Sequence, residues 1–177
     1  SLTNQERRLA GLGDLKNNPQ LASAALAKAN DMFAKQYWDH FGPNGETPWQ
    51  FIRGAGYNYV YAGENLGKGF RTAEGLVEAW MASPTHRENI LSANYRDIGI
   101  AVVEGELLGK QTILVVQMFG NLTRSVQGTT TSEAPKPVET TTPPTPKKVE
   151  TGSQKVVTPK EQGEIRSIRI TSPGMGE

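Results

Sequence analysis

The chain has 177 residues, a formal net charge of +1 and no cysteine. Because its 19 basic residues nearly balance its 18 acidic residues, the composition excludes the basic surface typical of nucleic-acid-binding proteins. The lack of cysteine excludes disulfide bonds, thiolate metal sites and cysteine nucleophiles. No apolar run approaches the roughly 20 residues that a membrane-spanning helix requires.

Two helices are predicted near the start of the chain. Thr3-Asn4-Gln5-Glu6 has the capping-box pattern, with Thr3 at the N-cap, and predicts a short helix over about residues 4–11. Asn18-Pro19 is a second start signal and predicts a helix that ends near Tyr37. This second helix carries an apolar stripe at helical spacing, formed by Leu21, Ala24, Ala25, Ala29, Met32, Phe33 and Tyr37.

The same kind of start signal predicts three later helices, which begin after Thr47, Thr72 and Ser83. Between the first two lies an extended tyrosine row, formed by Tyr57, Tyr59 and Tyr61, which would place three rings on one face of a strand. The row either packs against the sheet or offers a stacking surface for a glycan or an apolar ligand, and the sequence leaves both possibilities open.

The periodicity then changes from helical to alternating. Residues 97–103 and 112–119 are predicted to form two strands, with Gly105 and Gly109 in the turn region between them. A chain with helices first and a hairpin last is typical of the α+β class, in which helices pack on an antiparallel sheet.

The composition divides the chain into two regions, 1–122 and 123–177. All thirteen aromatic residues lie between Phe33 and Phe119, and the second region is rich in Thr and Pro. Its low apolar content predicts a disordered tail or linker, suited to a spacer through a cell wall. Within it, residues 164–170 alternate as a strand would, and form either the start of a further segment or an added edge of the folded region.

Three residues are candidates for chemistry: His40, Glu64 and His86. The two histidines are the only ones in the chain, and each stands beside turn-forming residues. Taken singly, each of the three residues has an ordinary structural interpretation, and no phosphate loop, nucleophile elbow or His-Glu-x-x-His motif is present.

Taken together and in order, these and neighbouring segments resemble the CAP superfamily of cysteine-rich secretory proteins, venom antigens and plant pathogenesis-related proteins. The likeness is to its bacterial branch of SCP-like extracellular proteins and covers about residues 4–120. The segments that carry it are Asn4…Arg7, Asp39-His40, Gly63-Glu64-Asn65-Leu66, Val77-Glu78-Ala79-Trp80, Ser83-Pro84-Thr85-His86-Arg87-Glu88-Asn89-Ile90-Leu91, Ile98-Gly99-Ile100-Ala101 and Gln117-Met118-Phe119-Gly120.

The resemblance implies an α-β-α sandwich with helices around a central antiparallel sheet. It also implies a cleft with two histidines and two acidic residues, which binds zinc or another divalent metal in some members. His40, Glu64 and His86 match three of those positions, and two imidazoles with one carboxylate suit a zinc ion with an open coordination position. Asn65 and Asn89 also match motif positions, and we interpret both as structural.

The fourth cleft group departs from the family pattern. Ser83 stands where eukaryotic members have a glutamate, and we expect it to serve also as a helix cap. Glu78 is the nearest carboxylate, but it lies two residues before Trp80, about 200° around the helix. We therefore expect Glu78 to face solvent if Trp80 faces the core.

The resemblance favours a secreted or cell-surface binding module, because the sequence offers no recognisable nucleophile and lacks the second glutamate. The chain begins at Ser1, and we expect a processed form whose signal peptide has been removed. The partner would be a peptide, a lipid, a glycan or another protein, with cell-wall association through the tail and no nucleic acid. The alternatives are a metal-dependent hydrolase that uses the same three residues as catalytic candidates, or a module whose cleft is vestigial.

Overall fold

The structure is a computed structural model that describes residues 1–122 and 163–170. In this part of the chain no helix is long and apolar enough to cross a membrane. The described helices are α1 Leu2–Leu9, α2 Pro19–Lys35, α3 Pro48–Gly54, α4 Ala73–Ala82 and α5 Pro84–Ile90. The described strands are β1 Lys16–Asn17, β2 Tyr59–Lys68, β3 Asp97–Leu107, β4 Lys110–Leu122 and β5 Glu164–Ile170.

The strands form one sheet in the order β1-β3-β4-β2-β5. Neighbouring strands from β3 to β5 pair antiparallel, whereas the two-residue β1 pairs parallel to β3, so the sheet is mixed with an antiparallel centre. The predicted hairpin is β3–β4, and its strands continue to a two-residue turn at Leu108 and Gly109, both with positive φ. Gly105 therefore lies within β3 rather than in the turn.

Helices cover both faces of the sheet, which confirms the α-β-α sandwich. On one face α2 and α3 enclose a core that includes Leu21, Met32 and Ile52 with the strand residues Leu66 and Val116. On the other face, α1, α4 and α5 contact one another. The second core contains Leu76, Trp80 and Ile90 with Ile98 and Phe119. The sheet thus separates two apolar layers, and β2 lies near one edge of it.

The sequence predicted α2 closely. The side chain of Asn18 accepts hydrogen bonds from the backbone N–H groups of Gln20 and Leu21, and Gln36 ends the helix in the left-handed conformation at φ 54°. Its predicted stripe is buried from Leu21 to Met32. The helices predicted after Thr47, Thr72 and Ser83 also begin there.

The predicted start of α1 is wrong by two residues. Ser1 is the N-cap and its hydroxyl accepts from the Asn4 N–H, although the contact is long at 3.4 Å. Thr3 is buried inside the helix instead, and its hydroxyl accepts a hydrogen bond from the Gln117 side chain. A tertiary contact thus uses the hydroxyl that the capping-box pattern would have assigned to the helix end.

The tyrosine row does not form a shared face. Tyr57 precedes β2 and is buried with its hydroxyl donating to Asp97, while Tyr59 packs on the α2 side of the sheet and Tyr61 on the opposite side. A register shift between Tyr59 and Tyr61 separates the two rings, as a β-bulge does. A stacking surface built from three aligned rings is therefore wrong for this chain.

Residues 164–170 form β5, an edge strand paired antiparallel with β2. The sequence left two alternatives for this segment, and the structure shows the second, an added edge of the folded region. Residues 123–162 and 171–177, on which the prediction of a disordered tail falls, lie outside the described residues.

Candidate functional site

Three different elements bring the candidate residues to the β2 side of the sheet. His40 lies in the loop after α2, Glu64 in the middle of β2, and His86 in the first turn of α5. All three are buried. His40 Nδ1 lies 2.6 Å from Glu64 Oε1, so the structure joins a loop residue and a strand residue that are 24 positions apart.

Each of the three side chains also keeps one buried polar atom without a hydrogen-bond partner in the described structure. These are His40 Nε2, Glu64 Oε2 and His86 Nε2, and we call them the three unpaired atoms. Buried polar atoms are paired in the great majority of cases, because an unpaired one loses its hydration without compensation. Two of them belong to the His40–Glu64 pair, and the third belongs to His86, whose other ring nitrogen contacts Ser83.

Ser83 stands at the position where the resemblance implies a fourth, acidic group. It is the N-cap residue of α5, yet its side chain makes no capping hydrogen bond, so the expected cap is wrong. Its hydroxyl forms a 2.8 Å hydrogen bond with His86 Nδ1 instead. Ser83 therefore orients the imidazole. Glu78 is exposed, as predicted.

Burial lowers the pKa of His86 from its usual value to about 4. The backbone carbonyl of Arg166 opposes this shift because it favours the protonated form, whereas the proximity of His40 disfavours a second positive charge on His86. His86 is consequently neutral at pH 7, and one of its ring nitrogens is then a hydrogen-bond acceptor or a metal ligand.

A buried network confirms the structural interpretation of Asn65 and Asn89. The Asn65 amide donates to the His86 carbonyl at 3.3 Å and to Gln117 Oε1 at 3.2 Å. The Asn89 amide donates to Asn65 Oδ1 at 2.9 Å and to the Glu64 carbonyl at 3.3 Å. The two amides thereby fix the backbone of Glu64 and His86. Arg87 is exposed and lies outside this network.

Sequence reasoning missed Lys28, which is fully buried beside the site. Its ammonium donates to the His40 carbonyl at 2.7 Å and to the Tyr37 hydroxyl at 2.9 Å, and Tyr37 in turn donates to Asp31. Burial lowers the pKa of Lys28, and the charge of Glu64 opposes that shift. The available signal was a lysine between Ala25 and Ala29 in the apolar stripe, where a cation needs buried partners.

The donor set suits zinc chemically, but the side chains as placed do not form a three-ligand site. In residues 1–122 and 163–170, no group of three or more His, Cys, Asp or Glu side chains is arranged to hold a metal ion. His40 and Glu64 face each other, so a metal would have to separate them or bind outside the pair. The metal site stays a prediction.

An apolar pocket of about 370 Å³ lies elsewhere, on the face of the sheet covered by α1 and α4. Phe70, Leu76, Val102 and Val115 are among its lining residues, and none of the three candidate residues is. The polar site and this pocket are therefore separate features of the domain.

Comparison with known proteins agrees with this architecture. Residues 1–119 match the sequence model of CAP, the cysteine-rich secretory protein family. The uncharacterized protein YkwD of Bacillus subtilis is 41% identical over 113 residues, which are 64% of this chain and 44% of that protein. The chain thus spans less than half the length of that relative.

Two solved structures share the fold. An outer surface protein of Borrelia burgdorferi superposes with a TM-score of 0.58 at 22% identity, covering 69% of this chain and 88% of that one. An extracellular protein with an SCP domain from Bacillus anthracis gives a TM-score of 0.56 at 24% identity, covering 67% of this chain and 37% of that one. At these identities the likeness establishes the fold.

Proposed function

The chain belongs to the CAP family of cysteine-rich secretory proteins, and we propose that it is an extracellular binding module that holds a polar ligand at His40, Glu64 and His86. The proposed location is supported by the two structural relatives, which are described as an outer surface protein and an extracellular protein. Attachment to a cell wall through residues 123–177 is part of the same proposal and rests on composition.

The three unpaired atoms carry the proposal. A ligand that places a hydrogen-bond donor or a metal ion at one of these atoms recovers an interaction that the folded protein leaves unmade. The free Glu64 oxygen is an acceptor, so the group that meets it should be a donor or a cation. His86 Nε2 accepts from such a group in the tautomer whose proton is on Nδ1. Zinc or another divalent metal is the simplest such group.

Binding is favoured over hydrolysis by the residue in the fourth position. Ser83 gives the site a hydroxyl bonded to His86 where a second glutamate would supply a general base. A hydroxyl is a poor base at neutral pH, so the site is better suited to holding a group than to activating water.

The experiment is a zinc titration of the full chain by calorimetry, with the imidazole NMR signals recorded in parallel. We expect one-to-one binding that shifts both histidine signals, is lost in His40→Ala and His86→Ala, and persists in the exposed control Glu78→Ala. If zinc fails, short peptides and soluble cell-wall glycan fragments are titrated in the same way. The proposal is wrong if none of these probes shifts either histidine signal.

A further inference from the structure

β5 lies outside the part of the chain that matches the family model, and it pairs with the outer edge of β2. The register places Ile168 opposite Glu64 and Arg166 opposite Leu66, along seven consecutive residues of β2. Without β5, this edge would present the unpaired backbone N–H and C=O groups of an open edge strand beside the candidate site.

β5 also contacts both elements that carry the histidines. The Arg166 guanidinium lies 3.0 Å from the carboxylate of Asp39, the residue before His40, and the Arg166 carbonyl lies beside the His86 imidazole. On the other side, Arg169 lies 2.6 Å from Glu88 of α5. β5 therefore crosses the site and joins the His40 loop to α5.

The contacts that hold β5 lie near the protein surface. No residue of β5 is fully buried, whereas Ala62 to Gly67 of β2 are all buried. The side chains of the Arg166 and Arg169 ion pairs are 41–54% exposed, and Glu164 of the third pair, with Lys68, is 61% exposed. Such pairs hold weakly because water screens them. The backbone ladder with β2 is thus the main attachment, and departure of β5 would remove only the contacts of Ile165 and Gly163 with the second core.

We propose that the outer edge of β2 is a docking surface for an extended peptide with alternating apolar and basic residues, and that residues 164–170 of the same chain are its occupant. Strand addition of this kind obtains its affinity from main-chain hydrogen bonds and its specificity from alternate side chains. Asp39 and Glu88 select the basic residues. Because the occupant belongs to the same chain, its pairing with β2 is intramolecular, and a weak strand suffices. This inference does not depend on which ligand the three unpaired atoms hold.

The test uses the full chain and a labelled free peptide with the sequence of residues 163–170. In the wild type the tethered strand excludes the peptide, whereas the double variant Arg166→Glu/Arg169→Glu repels its own strand from Asp39 and Glu88. Reversing each ion pair should weaken the pairing of the chain's own strand with β2 about fivefold. We therefore expect the double variant to bind the free peptide at least about tenfold more tightly than the wild type does. Arg8→Glu, which reverses an equally exposed ion pair with Asp14, is the matched control.

Access to the site provides a second readout. His40 and His86 are the only histidines, so modification by diethylpyrocarbonate reports on this site alone. We expect modification to be about fivefold faster in Arg169→Glu and restored to the wild-type rate in Arg169→Glu/Glu88→Arg. A peptide of the same composition with its apolar residues contiguous should not bind the double variant.

Amide hydrogen exchange on the wild type does not depend on any variant folding. We expect β5 amides to exchange at least about tenfold faster than those of β3 and β4, through local opening. Exchange of β5 only at the rate of global unfolding, or equal peptide affinity and histidine reactivity in wild type and double variant, would overturn the proposal. These readouts need no ligand at the three unpaired atoms, so they fail or succeed separately from the proposed function.

Discussion

Lys28 shows how one buried cation can position a site without belonging to it. Its ammonium is the donor to the His40 carbonyl, and its methylene chain continues the apolar face of α2. The tip lies 4.7 Å from the Tyr37 ring centroid and 5.6 Å from that of Phe51, a placement that favours a cation. The loop that carries His40 is therefore attached to the helix that precedes it.

Replacing Lys28 should loosen that loop. In Lys28→Met the His40 carbonyl loses its buried donor, and we expect the free energy of unfolding to fall by about 2 kcal/mol. Lys35→Met on the same helix is the control; it loses ion pairs to Asp31 and Glu46 near the surface and should cost clearly less than Lys28→Met. Urea unfolding measures both. Equal losses in the two variants would contradict a specific role for Lys28.

His86 predicts a pH dependence of stability with a defined sign. Because burial lowers its folded-state pKa to about 4, below the usual 6.5 of the unfolded chain, the unfolded state binds more protons between these values. His86 therefore stabilises the fold above about pH 6.5, and that contribution is lost as the pH falls towards 4.

The variant His86→Gln should remove this dependence. Urea unfolding is measured between pH 7.5 and pH 4.5. As the pH falls over this range, we expect the free energy of unfolding to decrease by about 1 to 2 kcal/mol less in the variant than in the wild type. Parallel curves for wild type and variant would mean that His86 takes up its proton equally in both states.

At the scale of elements, close contact between α2 and β3 depends on Gly99. A Cβ at this position would lie 2.1 Å from the Leu21 carbonyl carbon and 2.2 Å from the Ala22 nitrogen. Both are backbone atoms, so no side chain can turn aside. The start of α2, and with it the direction in which the helix leads to His40, therefore depends on this glycine.

Gly99→Ala should consequently separate the helix from the strand. We expect a loss of about 3 kcal/mol in the free energy of unfolding, at the upper end for an overpacked core. Gly13→Ala is the matched control, because a Cβ at Gly13 meets nothing within 4 Å and should change stability by less than about 0.5 kcal/mol. A Gly99 variant as stable as the control would show that the two elements can shift apart freely.

The limits of sequence reasoning are clearest at β2. The helices beginning after Asn18, Thr47, Thr72 and Ser83 were predictable because an N-cap residue and a following Pro or apolar stripe act locally. The glycine-rich end of β2 carries no alternating pattern that would predict a strand. Gly67 lies in the strand because Leu76 of α4 packs against it, 2.5 Å from where a Cβ would be. That packing depends on a distant element and leaves no local signal.

At the candidate site, too, some features were predictable from the sequence and others were not. The order of His40, Glu64 and His86 along the chain, set within motif segments, was sufficient to select them. The partners that orient them were not predictable, since Lys28, Gln117 and the Ser83 hydroxyl act through contacts that single residues do not reveal. The buried lysine in an apolar stripe was the one visible signal.

At the scale of the whole molecule, the compositional boundary near residue 122 does not coincide with the boundary of the folded unit. Alternation of Ile and charged residues in 164–170 predicted a strand, but its place was decided by distant partners. Asp39 and Glu88 pair with the two arginines of β5, and Phe70 packs on Gly163, 2.2 Å from where a Cβ would be. The edge strand next to β2 thus comes from a segment that lies far along the chain.

Ending the chain after residue 162 tests how much of the fold depends on that strand. Because both apolar cores are built from residues before Leu122 and Ile165 contributes only partly to one of them, we expect cooperative unfolding to persist. The loss in the free energy of unfolding should be about 1 to 2 kcal/mol, the net effect of the backbone ladder, one partly buried side chain and weak surface pairs after the entropy of ordering the strand. Ending the chain after residue 170 is the control and should cost nothing measurable. Loss of cooperativity in the shorter chain, followed by circular dichroism during urea unfolding, would instead make β5 an essential part of the fold.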